Sequence, residues 1–135
     1  MSNPFFIDTH AHLDDKRFDE DRREVIERAL KAGLKRIISI GCWSIEDGFS
    51  AVEGLLHEHD FIYGALGVHP HDAAKVEAEA VFSRIRELCL DTEGEARASK
   101  IVAIGETGLD YHYDNSPRPA QQALFREHIQ LAREL

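Results

Sequence analysis

FFIDTHAHLD, residues 5–14, joins an apolar run to two histidines at alternate positions. Alternate residues of a β-strand point to the same side, so the pattern predicts that His10 and His12 converge at the end of a strand. Two such imidazoles can share a divalent metal ion that takes a further ligand from elsewhere in the chain. Asp8 is predicted to share this face and to orient a histidine by hydrogen bonding. The competing interpretation is a set of ordinary polar residues at a strand end.

A second segment, residues 102–110, runs from an apolar stretch into the sequence Glu106-Thr107-Gly108-Leu109-Asp110. Glu106 has the same strand parity as Val102 and Ile104 and is expected to point with them. A carboxylate there can act as a catalytic bridge between two metal ions, which clamp the attacking and leaving oxygens of a hydrolysis. The alternative is an ionised side chain in solvent. Together with the histidine pair, Glu106 favours a metal-dependent hydrolase.

Two further histidines, His69 and His71, flank Pro70 after a third apolar run. They are predicted either to bind a substrate phosphate or to supply an outer metal ligand, and the alternative is a turn with two exposed imidazoles. Asp110 is predicted to be a supporting partner in the Glu106 loop, against the alternative of a solvated loop residue. The remaining histidines are interpreted as structural: His57, His59, His112 and His128.

The composition of the 135 residues, 43% hydrophobic and 30% charged, is that of one ordinary globular domain. A net charge of −9 argues against a preformed basic groove for nucleic acid. It leaves open a phosphate substrate held through metal ions. The two cysteines, Cys42 and Cys89, are too few for a disulfide framework and suggest a reducing compartment. Without a recognisable leader or a long apolar segment, the expected location is the cytoplasm, with no membrane partner.

Short apolar runs alternate with helical patterns four times along the chain, which predicts an α/β fold. Strands are expected at residues 5–8, 36–40, 61–68 and 101–105. Helices are expected at residues 16–32 with Gly33 just after the end, after a cap at Ser44, at residues 78–90, and from Pro119 onward. Repeated βα units build either an open doubly wound sheet or a closed barrel. Polar residues at three strand ends favour the barrel.

Three motifs in this order resemble the TatD-type deoxyribonuclease family: residues 6–14, residues 67–71 and residues 105–111, followed by the helix that contains residues 121–125. The resemblance implies a (β/α)8 TIM barrel, with residues 1–135 forming its N-terminal half of about four βα units. It also implies a DNA phosphodiesterase using up to two divalent ions, either Mg, Mn or Zn. In that family pattern His10 and His12 hold one metal ion, Glu106 bridges to a second, and His71 lies near the substrate.

The family's later motifs do not occur in this sequence: a histidine after the fifth strand, another after the sixth, and an aspartate after the eighth. We therefore expect the chain alone to be a poor enzyme, and to form a homo-oligomer or pair with a C-terminal half. Two alternatives stay open. One is a neighbouring amidohydrolase or phosphoesterase of the same barrel type, and the other is an inactive half-barrel that only binds metal or a partner chain. Glu106 after the fourth strand favours the nuclease over the neighbouring amidohydrolase.

Overall fold

The computed structural model of the protein describes residues 5–90 and 100–135. Its strands are β1 (Phe6–Ala11), β2 (Leu34–Cys42), β3 (Ile62–Gly67) and β4 (Ile101–Ile104). Its α-helices are α1 (Arg22–Lys31), α2 (Ser50–Glu58), α3 (Ala78–Cys89) and α4 (Arg118–Glu134). Single-turn 3-10 helices cover Lys16–Phe18 and Pro70–Asp72. Strand and helix thus alternate four times, as the sequence pattern predicts.

The four described strands form one parallel sheet in the order β1-β2-β3-β4. A doubly wound sheet reverses its strand order at a switch point. A barrel instead adds each new strand beside the previous one. Because the described strands follow the sequence order without reversal, the sheet has the arrangement of the first four βα units of a barrel. This confirms the fold class predicted from the sequence.

The core lies between one face of the sheet and the helices. Helix α2 buries Val52, Leu55 and Leu56, and α3 buries Val81, Phe82 and Ile85, so both present apolar residues at the three- and four-residue spacing of a helix face. The other buried members of this core are Leu13, Ile26, Ile37, Phe49, Ile62, Leu66, Val68, Leu124 and Leu131.

Two helix starts differ from the prediction. The expected helix 16–32 is divided into the 3-10 turn Lys16–Phe18 and α1, although Gly33 follows α1 with φ 104°, as predicted for a glycine after a helix end. Ser44 does not cap α2, which begins at Ser50. Its hydroxyl instead accepts hydrogen bonds from the N–H groups of Glu46 and Asp47 in a separate turn. Serine competes for nearby backbone donors in turns as well as at helix caps, so the sequence signal is the same.

The edge strands of the described sheet leave large apolar side chains in solvent. Phe6 and Ile7 on β1 are 53% and 51% exposed, and Val102 on β4 is 51% exposed. Side chains of this size are usually buried when a sheet is covered on both faces. The two outer strands therefore carry apolar surface that the described helices do not cover.

Candidate metal centre

Two histidines and one glutamate meet at the carboxyl ends of β1 and β4. The Nε2 atoms of His10 and His12 lie 3.6 Å and 3.5 Å from the same oxygen, Oε2 of Glu106. The two imidazole rings meet edge to face with centroids 5.1 Å apart. One ligand atom from each residue lies within 4.8 Å of the others. The structure therefore brings together the three residues that the sequence analysis selected as metal ligands.

The spacing of these atoms fits a shared metal ion. A tetrahedral ion with bonds of about 2.0–2.2 Å to nitrogen and oxygen places its ligand atoms about 3.4 Å apart. The observed nitrogen–oxygen separations of 3.5 Å and 3.6 Å are close to that value. A neutral imidazole offers a lone pair and a carboxylate offers a charge, so the donor set suits zinc as well as harder divalent ions.

The second oxygen of Glu106 faces His69. His69 Nε2 lies 3.8 Å from Glu106 Oε1, and His69 Nδ1 accepts a hydrogen bond of 3.2 Å from the backbone N–H of His71. Because Nδ1 is an acceptor, the neutral ring carries its proton on Nε2. Burial lowers the pKa of His69, although the nearby Glu106 charge opposes this shift. His69 thus presents an N–H donor beside the carboxylate.

His71 points to a different partner. Its Nε2 is hydrogen-bonded to Oδ2 of Asp110, and this bond is the main cause of an Asp110 pKa below its ordinary value. The other carboxylate oxygen of Asp110 accepts from the backbone N–H groups of His112 and Tyr113, at 2.9 Å and 3.1 Å. Asp110 is therefore engaged by hydrogen bonds from both sides and fixes the orientation of His71.

Asp8 contacts the backbone of the histidine segment. Its Oδ1 accepts a 3.0 Å hydrogen bond from the N–H of His10. Between Asp8 and Ala11 the pairing with β2 advances by only two residues, from Ile37 to Ser39, so β1 carries one extra residue there. Such a bulge interrupts simple alternation and redirects side chains. The shared face predicted for Asp8 and the histidines does not follow from regular strand parity.

A similar irregularity precedes Glu106. Ile101 lies opposite Gly64 and Ile104 opposite Leu66, so three steps along β4 match two steps along β3. Strand β4 also ends at Ile104, two residues before Glu106. Regular alternation from Val102 to Glu106 therefore does not explain where the carboxylate points. Its direction is determined by the bulge and by the segment after the strand.

Helix α4 holds both loops of the centre through two buried polar residues that the sequence analysis did not select as site residues. Gln121, 1% exposed, accepts from the Asp110 N–H at 2.8 Å and donates to the carbonyl oxygens of Asp110 and Ser116, both at 2.9 Å. His128, 2% exposed, accepts from the Val68 N–H at 3.1 Å and has Nδ1 2.9 Å from the Leu124 carbonyl oxygen. In the sequence, their burial is indicated only by their helical spacing with the apolar residues of α4.

Cys42 is a half-buried free thiol near the centre. Burial, with the nearby charge of Glu106 adding to it, raises the pKa of Cys42 to about 12. Both effects favour the neutral thiol over the thiolate.

Histidines and a carboxylate at the carboxyl ends of parallel strands, here β1 and β4, form a site of the kind found in metal-dependent hydrolases. Residues 7–135 match the family described as TatD related DNase, and the chain belongs to this family. It is 43% identical over 129 residues to the uncharacterized metal-dependent hydrolase YabD of Bacillus subtilis (strain 168), covering 96% of this chain and 47% of that protein.

Two other relatives place the chain in the same family. It is 38% identical to the 3'-5' ssDNA/RNA exonuclease TatD of Rahnella sp. (strain Y9602), over 92% of this chain and 44% of that protein. The crystal structure of the TatD homologue YjjV from Escherichia coli K12 superposes with a TM-score of 0.77 at 34% identity, over 96% of this chain and 47% of that one. The chain spans about half the length of the curated relatives it matches.

The helices offer no candidate for a membrane span: within residues 5–90 and 100–135, none is both long and apolar enough.

Proposed function

We propose that this chain carries part of the catalytic centre of a nuclease that cleaves DNA phosphodiester bonds with a metal-activated water. The observation that supports the proposal best is the convergence of His10 and His12 on one oxygen of Glu106, at 3.6 Å and 3.5 Å. A divalent cation held by these residues would supply positive charge at the phosphate and a water of lowered pKa. The Rahnella relative, a 3'-5' ssDNA/RNA exonuclease by name, supports a nucleic-acid substrate.

The residues around the centre suit a phosphate substrate. Glu106 turns Oε2 toward the histidine pair and Oε1 toward His69, so it can serve two positive centres, as a bridging carboxylate does. His69 offers its Nε2–H on the Oε1 side, where it can donate to a non-bridging phosphate oxygen. His71 is held by Asp110 and is placed to keep this segment in position.

The proposed compartment is the cytoplasm. Both cysteines are free thiols, as expected in a reducing environment.

Two measurements test the proposed function. The first is calorimetric titration of the purified chain with Mn²⁺, Zn²⁺ and Mg²⁺, which also identifies the preferred ion. Glu106→Gln and His12→Ala should each lower metal affinity by at least about tenfold, since even indirect partners of a metal have effects of that size. His57→Ala, an exposed histidine on α2, is the matched control and should leave affinity unchanged.

The second measurement is the release of nucleotides from single-stranded DNA in the presence of the preferred ion, beside the hydrolysis of a simple phosphomonoester and of a cyclic amide. Cleavage of DNA that depends on His12 and Glu106 supports the nuclease. Preference for the amide or the monoester would instead identify a neighbouring hydrolase of the same barrel type. Metal binding without any hydrolysis, even after a C-terminal half is supplied, would instead identify an inactive half-barrel that only binds metal or a partner chain.

A further inference from the structure

The loop between β4 and α4 holds an exposed tyrosine in a fixed position beside the centre. Asp110 accepts hydrogen bonds from the N–H groups of His112 and Tyr113 through Oδ1, while Oδ2 is bonded to the His71 imidazole. Gln121 on α4 anchors the backbone of Asp110 with two further hydrogen bonds, at 2.8 Å and 2.9 Å. A single carboxylate thus ties the backbone of Tyr113 to the ring of His71.

The Tyr113 ring has aromatic neighbours and an open surface. It meets the His71 ring edge to face at 5.7 Å and the His112 ring at 4.6 Å, yet the residue is 68% exposed. Among the described residues, no group hydrogen-bonds to its hydroxyl. The described contacts therefore hold the Tyr113 ring at its edge and leave most of the side chain accessible to a ligand.

The other tyrosine of this loop shows the contrast. Tyr111 is covered on its ring by the Arg118 guanidinium at 4.5 Å, and its hydroxyl accepts a 2.7 Å hydrogen bond from Gln122. Tyr111 is therefore partnered within the protein, through both its ring and its hydroxyl. Tyr113 lies two residues further along the same loop, with its ring available.

The path from Tyr113 to the metal centre is short. Only two imidazoles separate them, because the Tyr113 ring contacts His71, the rings of His71 and His69 lie 4.3 Å apart, and His69 Nε2 lies 3.8 Å from Glu106 Oε1. In a nucleotide one sugar joins the base to its phosphate. A strand with a phosphate at Glu106 can therefore continue past His69 and His71 and place one of its bases at the loop that carries Tyr113.

We infer that Tyr113 is a stacking platform for a nucleobase of the strand whose phosphate is held at the His10–His12–Glu106 centre. This inference rests on the proposed function and names a subsite for the same substrate. Stacking on an aromatic face tolerates any base, which suits a nuclease acting on single strands without sequence preference. It also supplies affinity that does not depend on basic side chains, in a protein with a net charge of −9.

The test compares two cleavage-resistant phosphorothioate oligonucleotides, one of thymidines and one in which the same backbone lacks its bases. Binding of each to the full chain is followed by fluorescence anisotropy with Mn²⁺ present. The wild-type chain should prefer the oligonucleotide with bases by about 5- to 100-fold. Tyr113→Ala should remove most of this preference and Tyr113→Phe should keep it. Tyr111→Phe, the matched control in the same loop, should also keep it.

The possible outcomes separate the two proposals. Equal preference in wild type and Tyr113→Ala would overturn the stacking role and leave the proposed nuclease standing. Equal binding of both oligonucleotides by the wild-type chain would do the same. Binding of neither oligonucleotide by a chain that still binds Mn²⁺ would count against both proposals.

Discussion

Gly67 lies in backbone contact with the segment that carries Glu106. A Cβ atom at Gly67 would lie 2.6 Å from the carbonyl oxygen of Glu106 and 2.8 Å from the carbonyl carbon of Gly105. Real Cβ atoms do not approach backbone this closely, so any side chain at Gly67 must push the two segments apart. The end of β3 therefore determines how near the Glu106 carboxylate comes to His10 and His12.

Gly67→Ala should displace Glu106 and lower metal affinity by about tenfold or more, because the ligand atoms lose their common centre. Titration with Mn²⁺ measures this effect. Gly54→Ala is the matched control, since a Cβ there meets nothing within 4 Å. In the middle of α2 it should raise stability by about 0.5–1 kcal/mol and leave metal affinity unchanged. Wild-type metal affinity in Gly67→Ala would show that the contact is not needed.

Gln121→Leu should destabilise the chain by about 1–3 kcal/mol, because it leaves a buried N–H group and two carbonyl groups without their partner. Urea unfolding measures the loss, and hydrogen exchange at the Asp110 amide shows where it occurs. The neighbouring Gln122→Leu removes an exposed amide of the same size and should change stability by no more than about 0.5 kcal/mol. Equal effects of the two substitutions would contradict the clamping role of Gln121.

His128 should make stability depend on pH in the weakly acidic range. Burial lowers the pKa of His128 in the folded protein below the value of about 6.5 expected in the unfolded chain. Below that pH the unfolded state binds more protons, so the free energy of unfolding falls as the pH drops. Protonation of Nε2 would also cost the hydrogen bond from the Val68 N–H.

Urea unfolding between about pH 7.5 and about pH 5.5 tests this dependence in wild type and in His128→Gln. The wild-type chain should lose more stability over this range than the variant. His69, whose pKa is also lowered, is present in both proteins and cancels in the comparison. Parallel curves for the two proteins would exclude His128 as the titrating group.

The exposed edges of the sheet should promote self-association. Light scattering and binding of a dye to apolar surface should show more than a simple monomer, since unpaired strands with apolar side chains pair with other chains. Ile7→Lys should reduce association by placing a charge on β1. Ile45→Lys makes the same change at a 72% exposed residue outside the strands, so it should have no such effect. A stable wild-type monomer with little dye binding would contradict this prediction.

The chain alone should cleave single-stranded DNA slowly. Within the described residues, two histidines lie around one oxygen of Glu106, which gives three candidate ligands, and a two-metal mechanism needs more ligands than that. The rate with Mn²⁺ is best measured beside the complete Rahnella relative. Rapid cleavage by the wild-type chain that disappears in both His12→Ala and Glu106→Gln would show that these three ligands are sufficient.

The sequence predicts the larger features of this molecule because they depend on local patterns. Apolar runs and helical spacing mark the four βα units, and two histidines one residue apart after an apolar run mark the candidate ligand pair. The bulges at β1 and β4 could not be predicted, because an extra residue in a strand becomes visible only when its partner is known. The contact of Gly67 with Glu106 joins segments 39 residues apart, beyond the reach of any spacing rule.

The buried residues of α4 are a harder case. Ile129 belongs to the apolar pattern of this helix but is 46% exposed, whereas Gln121 and His128 are almost completely buried. A glutamine or histidine in a helix usually indicates a solvent-facing position. Here each is buried because it satisfies backbone groups of loops that follow other strands, and those partners are not visible from α4 itself.

The clamping of both site loops by α4 has a consequence for the order of assembly. Val68 and Asp110 gain their hydrogen bonds to His128 and Gln121 only when α4 docks, and α4 follows all four strands along the chain. During synthesis, the sheet and the first three helices can form before this clamp closes. The centre therefore matures late, and a bound cation that favours the closed arrangement will also hold α4 in place.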